Sequence, residues 1–208
     1  MYQRCAGGSI GAASLAAFLA VALAGLLPAP GRAAPRPEFH GLPIQPAVAA
    51  AEFVLRDQHD RFFSMRAQRG RAILLVFGYT SCPDVCPATL GILKQVYGLL
   101  GPAAGRVRVV FVTTDPARDT RARLKRYLTL FHPAFLGLTG SRDALLGAYQ
   151  EYGIYPQRYT AAGTTGYRVS HATALFLIDP AGYVRFSYNW GAAPRDVAYD
   201  VRLLLAGY

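Results

Sequence analysis

Ala72-Ile73-Leu74-Leu75-Val76-Phe77-Gly78-Tyr79-Thr80-Ser81-Cys82-Pro83-Asp84-Val85-Cys86-Pro87 decides the fold, because it passes from strand to turn to helix while carrying two cysteines. Residues 73–77 are apolar without alternation, the mark of a strand buried on both faces. Pro87, whose ring presets a helical φ and whose missing N–H costs nothing in a first turn, predicts a helix beginning beside Cys86. Unpaired backbone N–H groups and the positive end of the helix dipole favour a thiolate there, the form that attacks disulfides and binds soft metal ions. Residues four apart share a helix face, so Cys82 and Cys86 are placed either to close a disulfide or to clamp one metal ion. A purely structural disulfide would gain little, since closing so short a loop removes little unfolded-chain entropy.

Working outward, Phe53-Val54-Leu55 and Arg61 to Met65 read as a short hairpin turning at His59. Downstream of the cysteines, Leu90, Leu93, Tyr97 and Leu100 recur at helical spacing, and Gly101-Pro102 ends that helix. Val107 to Val112 predicts the next buried strand, running into Thr113-Thr114-Asp115-Pro116-Ala117-Arg118-Asp119, where Asp119 suits the N-cap of a helix that buries Leu124, Tyr127, Leu128 and Phe131. A short strand over Phe135 to Leu138 follows, then a helix capped by Ser141 and stopped by Gly153. Tyr155 to Tyr167 interrupts the rhythm as a polar loop or hairpin, and Tyr155, Tyr159 and Tyr167 are candidates either for a docking face or for packing within it. Two strands, Thr173 to Ile178 and Tyr183 to Tyr188, joined by the turn Asp179-Pro180-Ala181-Gly182, precede a last helix from about Pro194 that buries Val197, Val201 and Leu204. Strands alternating with helices predict an α/β domain with a central mixed sheet flanked by helices.

The N-terminal quarter is different in kind. Ile10 to Leu27 is uncharged and apolar, with Arg4 before it and Arg32 and Arg36 after it. Residues 1–33 are therefore a membrane anchor or a signal peptide, 34–50 a stiff proline-rich linker, and 51–208 the folded domain. Cys5, ahead of the apolar run, is an incidental thiol, and a four-thiolate zinc site is excluded by the two cysteines that remain. The net charge is +10, yet of 22 basic residues only Lys94 and Lys125 are lysine and no basic run exceeds two neighbours. That scatter, with no nucleic-acid module, argues against nucleic acid and for a solvated surface, an anionic membrane or an acidic partner.

Gly78-Tyr79-Thr80, Cys82-Pro83-Asp84-Val85-Cys86-Pro87 together resemble the Sco/SenC family, thioredoxin-like copper-binding proteins that help assemble the copper centre of cytochrome c oxidase. The resemblance runs from about Glu52 to the C-terminus. It implies a thioredoxin-like fold with Cys82, Cys86 and His171 as copper ligands. His171 lies in Tyr167-Arg168-Val169-Ser170-His171-Ala172-Thr173, ahead of a strand that would run beside the cysteine strand. Read alone, such a histidine is more often a hydrogen-bonding residue than a ligand. The family carries Val-Asp-His or Val-Asn-His at this point, so Ser170 departs from its pattern and touches only what supports the ligand. Asp115 matches an aspartate kept near the family's metal site, and its plain alternative is a turn cap. Asp84 either tunes the thiols or caps the helix. Thiolates favour Cu(I), and a mixed sulfur and nitrogen set also holds Cu(II).

The implied partners are the copper-centre subunit of cytochrome c oxidase, a copper donor or a thiol reductant, and the membrane through the N-terminal segment. The implied location is the periplasmic face of a bacterial plasma membrane, or the periplasm itself if the segment is cleaved. A rival function, thiol–disulfide exchange on the cysteines of a copper-site target, needs only the same cysteine pair. Against a general oxidoreductase stand the three residues between the cysteines, and His171 where thioredoxins place a cis-proline.

Overall fold

The structure, a computed structural model, describes residues 37–160 and 166–208. The apolar run and Cys5 lie outside the described residues.

The chain enters through β1 (Leu42–Ala49) and a hairpin of β2 (Val54–Asp57) and β3 (Phe62–Ser64). β4 (Ala72–Gly78), α1 (Val85–Leu100), β5 (Val107–Thr113), α2 (Arg121–Thr129) and β6 (Leu136–Thr139) then form two right-reading strand–helix–strand units. After α3 (Arg142–Glu151) come β7 (Gln157–Tyr159) and β8 (Arg168–Ser170), then β9 (Leu175–Ile178), β10 (Tyr183–Tyr188) and α4 (Pro194–Leu205). The main sheet runs β1-β10-β9-β4-β5-β6-β2-β3, while β7 and β8 pair by themselves. β4, β5 and β6 are parallel, and β9 joins β4 antiparallel, so the expected mixed sheet is what forms.

Every residue of β4 is buried because both of its faces are covered. Leu74 and Val76 point into one core with Leu90, Leu93 and Val96 of α1, Leu124 and Leu128 of α2, and Val197 and Val201 of α4. Ile73, Leu75 and Phe77 point into the other, against Leu145, Ala148 and Tyr149 of α3 and Leu55 and Phe63 of the hairpin. This two-sided burial is what removed alternation from the sequence.

Three expectations are corrected. The compact unit opens at Pro37, and Leu42–Ala49, expected as linker, is an edge strand paired to β10. Proline misled here, because an edge strand tolerates Pro43 and Pro46 along its unpaired side, and the register is irregular between Pro43 and Val48. Helix α1 starts at Val85, with Pro87 third in its first turn, where an absent N–H is equally harmless. The cap of α2 is Thr120, whose side chain accepts from the Arg123 amide, and Asp119 is released for another task.

Candidate metal centre

The cysteine loop leaves the C-terminal end of β4, where open α/β sheets place their chemistry. Gly78 ends the strand because nothing larger fits: a Cβ there would lie 2.7 Å from the Phe111 ring and 2.9 Å from Cys86 Sγ. Cys86 is buried in the first turn of α1, and Cys82 is half-buried before it; both are free thiols. The Cys86 amide donates to Cys82 Sγ at 3.4 Å. The sulfur thus performs the capping that the side chain of Asp84, although at the N-cap position, does not.

This geometry makes the pair unequal. The Cys86 S–H donating to Cys82 holds the Cys82 thiol down at about 5, against the opposing effect of burial and with help from the amides of Asp84 and Cys86 and from His171. The same hydrogen bond, burial and the charge on Cys82 push the Cys86 thiol far above its ordinary value. Cys82 is therefore the thiolate and Cys86 the proton holder.

A buried carboxylate braces the loop. Asp119, 1% exposed, accepts from the Thr80 amide at 3.0 Å, the Thr80 hydroxyl at 2.5 Å and the Thr113 hydroxyl at 2.6 Å. Arg123 donates to Thr80 Oγ1 at 2.7 Å and to Ser81 Oγ at 2.9 Å, so one side chain of α2 grips two of the loop. The sequence reading missed Asp119 because a cap explained it. Thr120, an equally good cap beside it, was the available signal.

His171 stands between β8 and β9, half-buried, and shares a cleft with Cys86, Val76, Phe111 and Ala174. Its ring meets the Tyr79 ring edge-on at 6.1 Å. Nδ1 lies 2.7 Å from the Ala172 carbonyl, which can only accept, so Nδ1 is the donor there and Nε2 is the ring nitrogen left for a metal. Ser170 gives that ring no help: its hydroxyl faces the Gln157 carbonyl. Among the described residues no group of three or more His, Cys, Asp or Glu is gathered at metal-binding spacing. The structure brings the two sulfurs together and sets His171 on the cleft that Cys86 lines.

Asp115 is fully buried, but its carboxylate is taken up by Arg118, Arg158 and the Tyr167 hydroxyl. Tyr155 and Tyr159 are 66% and 45% exposed, whereas Tyr167 is turned inward onto Asp115. His59 and His132 lie in turns, and the His40 amide is bound to Asp200, which leaves none of the three in the site. Tyr127, unremarked from sequence except as core, presents a buried hydroxyl without a partner among the described residues.

The family profile described as SCO1/SenC matches residues 43–206. The chain is 35% identical to the mitochondrial SCO2 homolog of Bos taurus over 166 residues, 79% of this chain and 62% of that protein. Among solved structures, Bradyrhizobium japonicum ScoI with copper bound superposes with a TM-score of 0.70 at 31% identity, covering 76% of this chain and all of that one. Apo Sco1 from Thermus thermophilus does so with a TM-score of 0.73 at 34% identity, covering 83% of this chain and all of its own. The thioredoxin-like fold is common to all three chains.

Proposed function

Because the chain belongs to the SCO1/SenC family, we propose that it is a copper metallochaperone that binds one copper through Cys82, Cys86 and His171 and helps assemble the copper centre of cytochrome c oxidase. The observation that carries this reading is the donor set: Cys86 in the first turn of α1, Cys82 in the loop that caps it, and His171 on the cleft that Cys86 lines, its Nδ1 tied to a backbone carbonyl so that Nε2 is left for the metal. Two sulfurs suffice for a two-coordinate Cu(I), and adding an imidazole nitrogen makes a set that also holds Cu(II). A copper-bound relative of the same fold supports copper as the cargo. Copper loading requires Cys86 to give up the proton that it now shares with Cys82. The cleft beside Cys86 is walled mainly by Val76, Phe77, Val85, Phe111 and Ala174.

The domain is exported and tethered at the periplasmic face by an uncleaved 10–27 segment, with the copper-centre subunit of the oxidase as the acceptor. A soluble periplasmic form beginning near residue 34 in cell fractions would remove the tether. No helix among the described residues is long and apolar enough to cross a membrane.

The inequality of the cysteines favours a second reading, a thiol–disulfide oxidoreductase that prepares the target's cysteines. Cys82 thiolate would attack a target disulfide and form a mixed disulfide. Cys86 would then give up its proton and attack Cys82, releasing the target as a dithiol and leaving this pair oxidised. Titrating the reduced protein with copper separates the two. The chaperone reading expects one copper per chain, with a sulfur-to-copper charge-transfer band for Cu(II). His171→Ala should weaken Cu(II) by at least the roughly 10- to 100-fold that lesser changes around a metal cost, while sparing Cu(I) and disulfide formation. Cys82→Ser or Cys86→Ser should abolish both. Absence of copper binding with an intact dithiol cycle would leave the oxidoreductase.

A further inference from the structure

His171 is the one proposed ligand that does not come from the cysteine turn. It follows β8 directly, and β8 belongs with β7 to a two-stranded sheet that shares no strand pairing with the main sheet. Val169 of β8 anchors this ribbon in the core, and a polar cluster beneath it makes a second tie to the body of the domain. Asp115, in the loop after β5 and fully buried, receives the Tyr167 hydroxyl at 2.7 Å and Arg158 Nη2 at 3.5 Å, one group from the start of β8 and one from β7. Arg118, ion-paired to the same carboxylate, donates Nη1 to the Tyr167 carbonyl at 3.0 Å. Its guanidinium lies over the Tyr167 ring at 3.8 Å, and Arg158 stacks on that ring at 4.5 Å. Arg118 also lies 5.9 Å from the Tyr79 ring, which is itself in edge contact with His171.

From this arrangement we propose that Asp115, Arg118 and Tyr167 form a clasp that positions His171 for Cu(II), acting on the histidine through the ribbon and touching neither sulfur. Tyr167 is four residues before His171, so the rigid reach from its ring to the imidazole is one short strand. The cluster also keeps Arg118 Nη2 buried without a partner among the described residues. Two sulfurs joined through one helix start need no such device. A histidine delivered by a separate ribbon does, because each loose rotation of the ribbon moves the imidazole away from the cleft. The inference rests on the copper reading and specifies how its third ligand is held.

The test is a double-mutant cycle on Cu(II) affinity in the reduced full chain, using Tyr167→Phe, His171→Ala and the pair. Tyr167→Phe keeps the ring and its stacking and deletes only the hydroxyl that reaches Asp115. It should weaken Cu(II) about 10-fold, the lower end for a residue acting on a ligand from outside, with Cu(I) affinity and the free-thiol count unchanged. In the His171→Ala background it should have no further effect. In the metal-free protein, amide hydrogen exchange of residues 168–170 should quicken while the midpoint of thermal unfolding stays put. Asp115→Asn, which keeps the shape and loses the charge, should reproduce the pattern more strongly. Full additivity of Tyr167→Phe and His171→Ala, or unchanged Cu(II) affinity in Tyr167→Phe, overturns the clasp and leaves His171 as a ligand. Unchanged Cu(II) affinity in His171→Ala alone overturns the ligand assignment and the clasp with it.

Discussion

At the scale of single residues, the chemistry is an asymmetry between two identical side chains. Cys82 accepts a proton bond from Cys86 and an amide bond from α1, and its thiol is held at about 5 instead of the ordinary 9.0. Since the acid form is the protonated thiol, the reactive thiolate is present above pH 5 and is lost as pH falls through that value. Alkylation of the reduced protein by iodoacetamide should therefore modify Cys82 first, with a rate that falls off near pH 5, and should spare Cys86 through neutral pH. Cys86→Ala removes the leading cause, so the midpoint should climb toward the ordinary value. A midpoint unmoved in that variant would mean that the helix terminus, not the partner thiol, sets the acidity.

At the scale of elements, a strand end and a helix start define the site, and a second helix holds it rigid. α2 contributes Arg123, and the residue just before its cap, Asp119, gathers Thr80 and Thr113 under the cysteine loop. Asp119→Ala would strand the Thr80 amide and two hydroxyls in a dry environment, at about 1–3 kcal/mol for each donor left unmatched. We expect a loss of at least about 2 kcal/mol in denaturant unfolding, together with faster alkylation of Cys86 as the loop loosens. Asp119→Asn keeps one acceptor oxygen and should fall between the two. Equal stability of the alanine variant would show that water replaces the carboxylate, and that the brace is not one.

At the scale of the whole molecule, the domain begins earlier than its composition suggests. β1 covers the outer edge of β10, and the segment ahead of it is pinned by a buried carboxylate: Asp200 of α4 accepts from the His40 and Gly41 amides at 3.0 and 2.8 Å and from the Tyr188 hydroxyl at 2.7 Å. A chain starting at residue 51 should expose the β10 edge, leave Asp200 short of two donors, unfold at lower denaturant and self-associate by light scattering. A chain starting at residue 37 should not. Equal behaviour of the two would make β1 dispensable. By itself, the sequence determined the order and type of the core elements, the strand-to-helix turn that carries both cysteines and the capping of α3 by Ser141, because burial on both faces, prolyl geometry and capping act over a few neighbouring residues; that Cys82 lies in the loop and caps the helix rather than sharing its first turn was not legible there. Only the tertiary structure decided that Leu42–Ala49 is sheet, that Asp119 braces a loop thirty-nine residues away, that Asp115 and Tyr167 meet under the ribbon carrying His171, and that the Cys86 amide donates to the Cys82 sulfur. Each of those depends on which donor faces which acceptor across the fold, and a hydrogen bond between distant residues leaves no period in the chain.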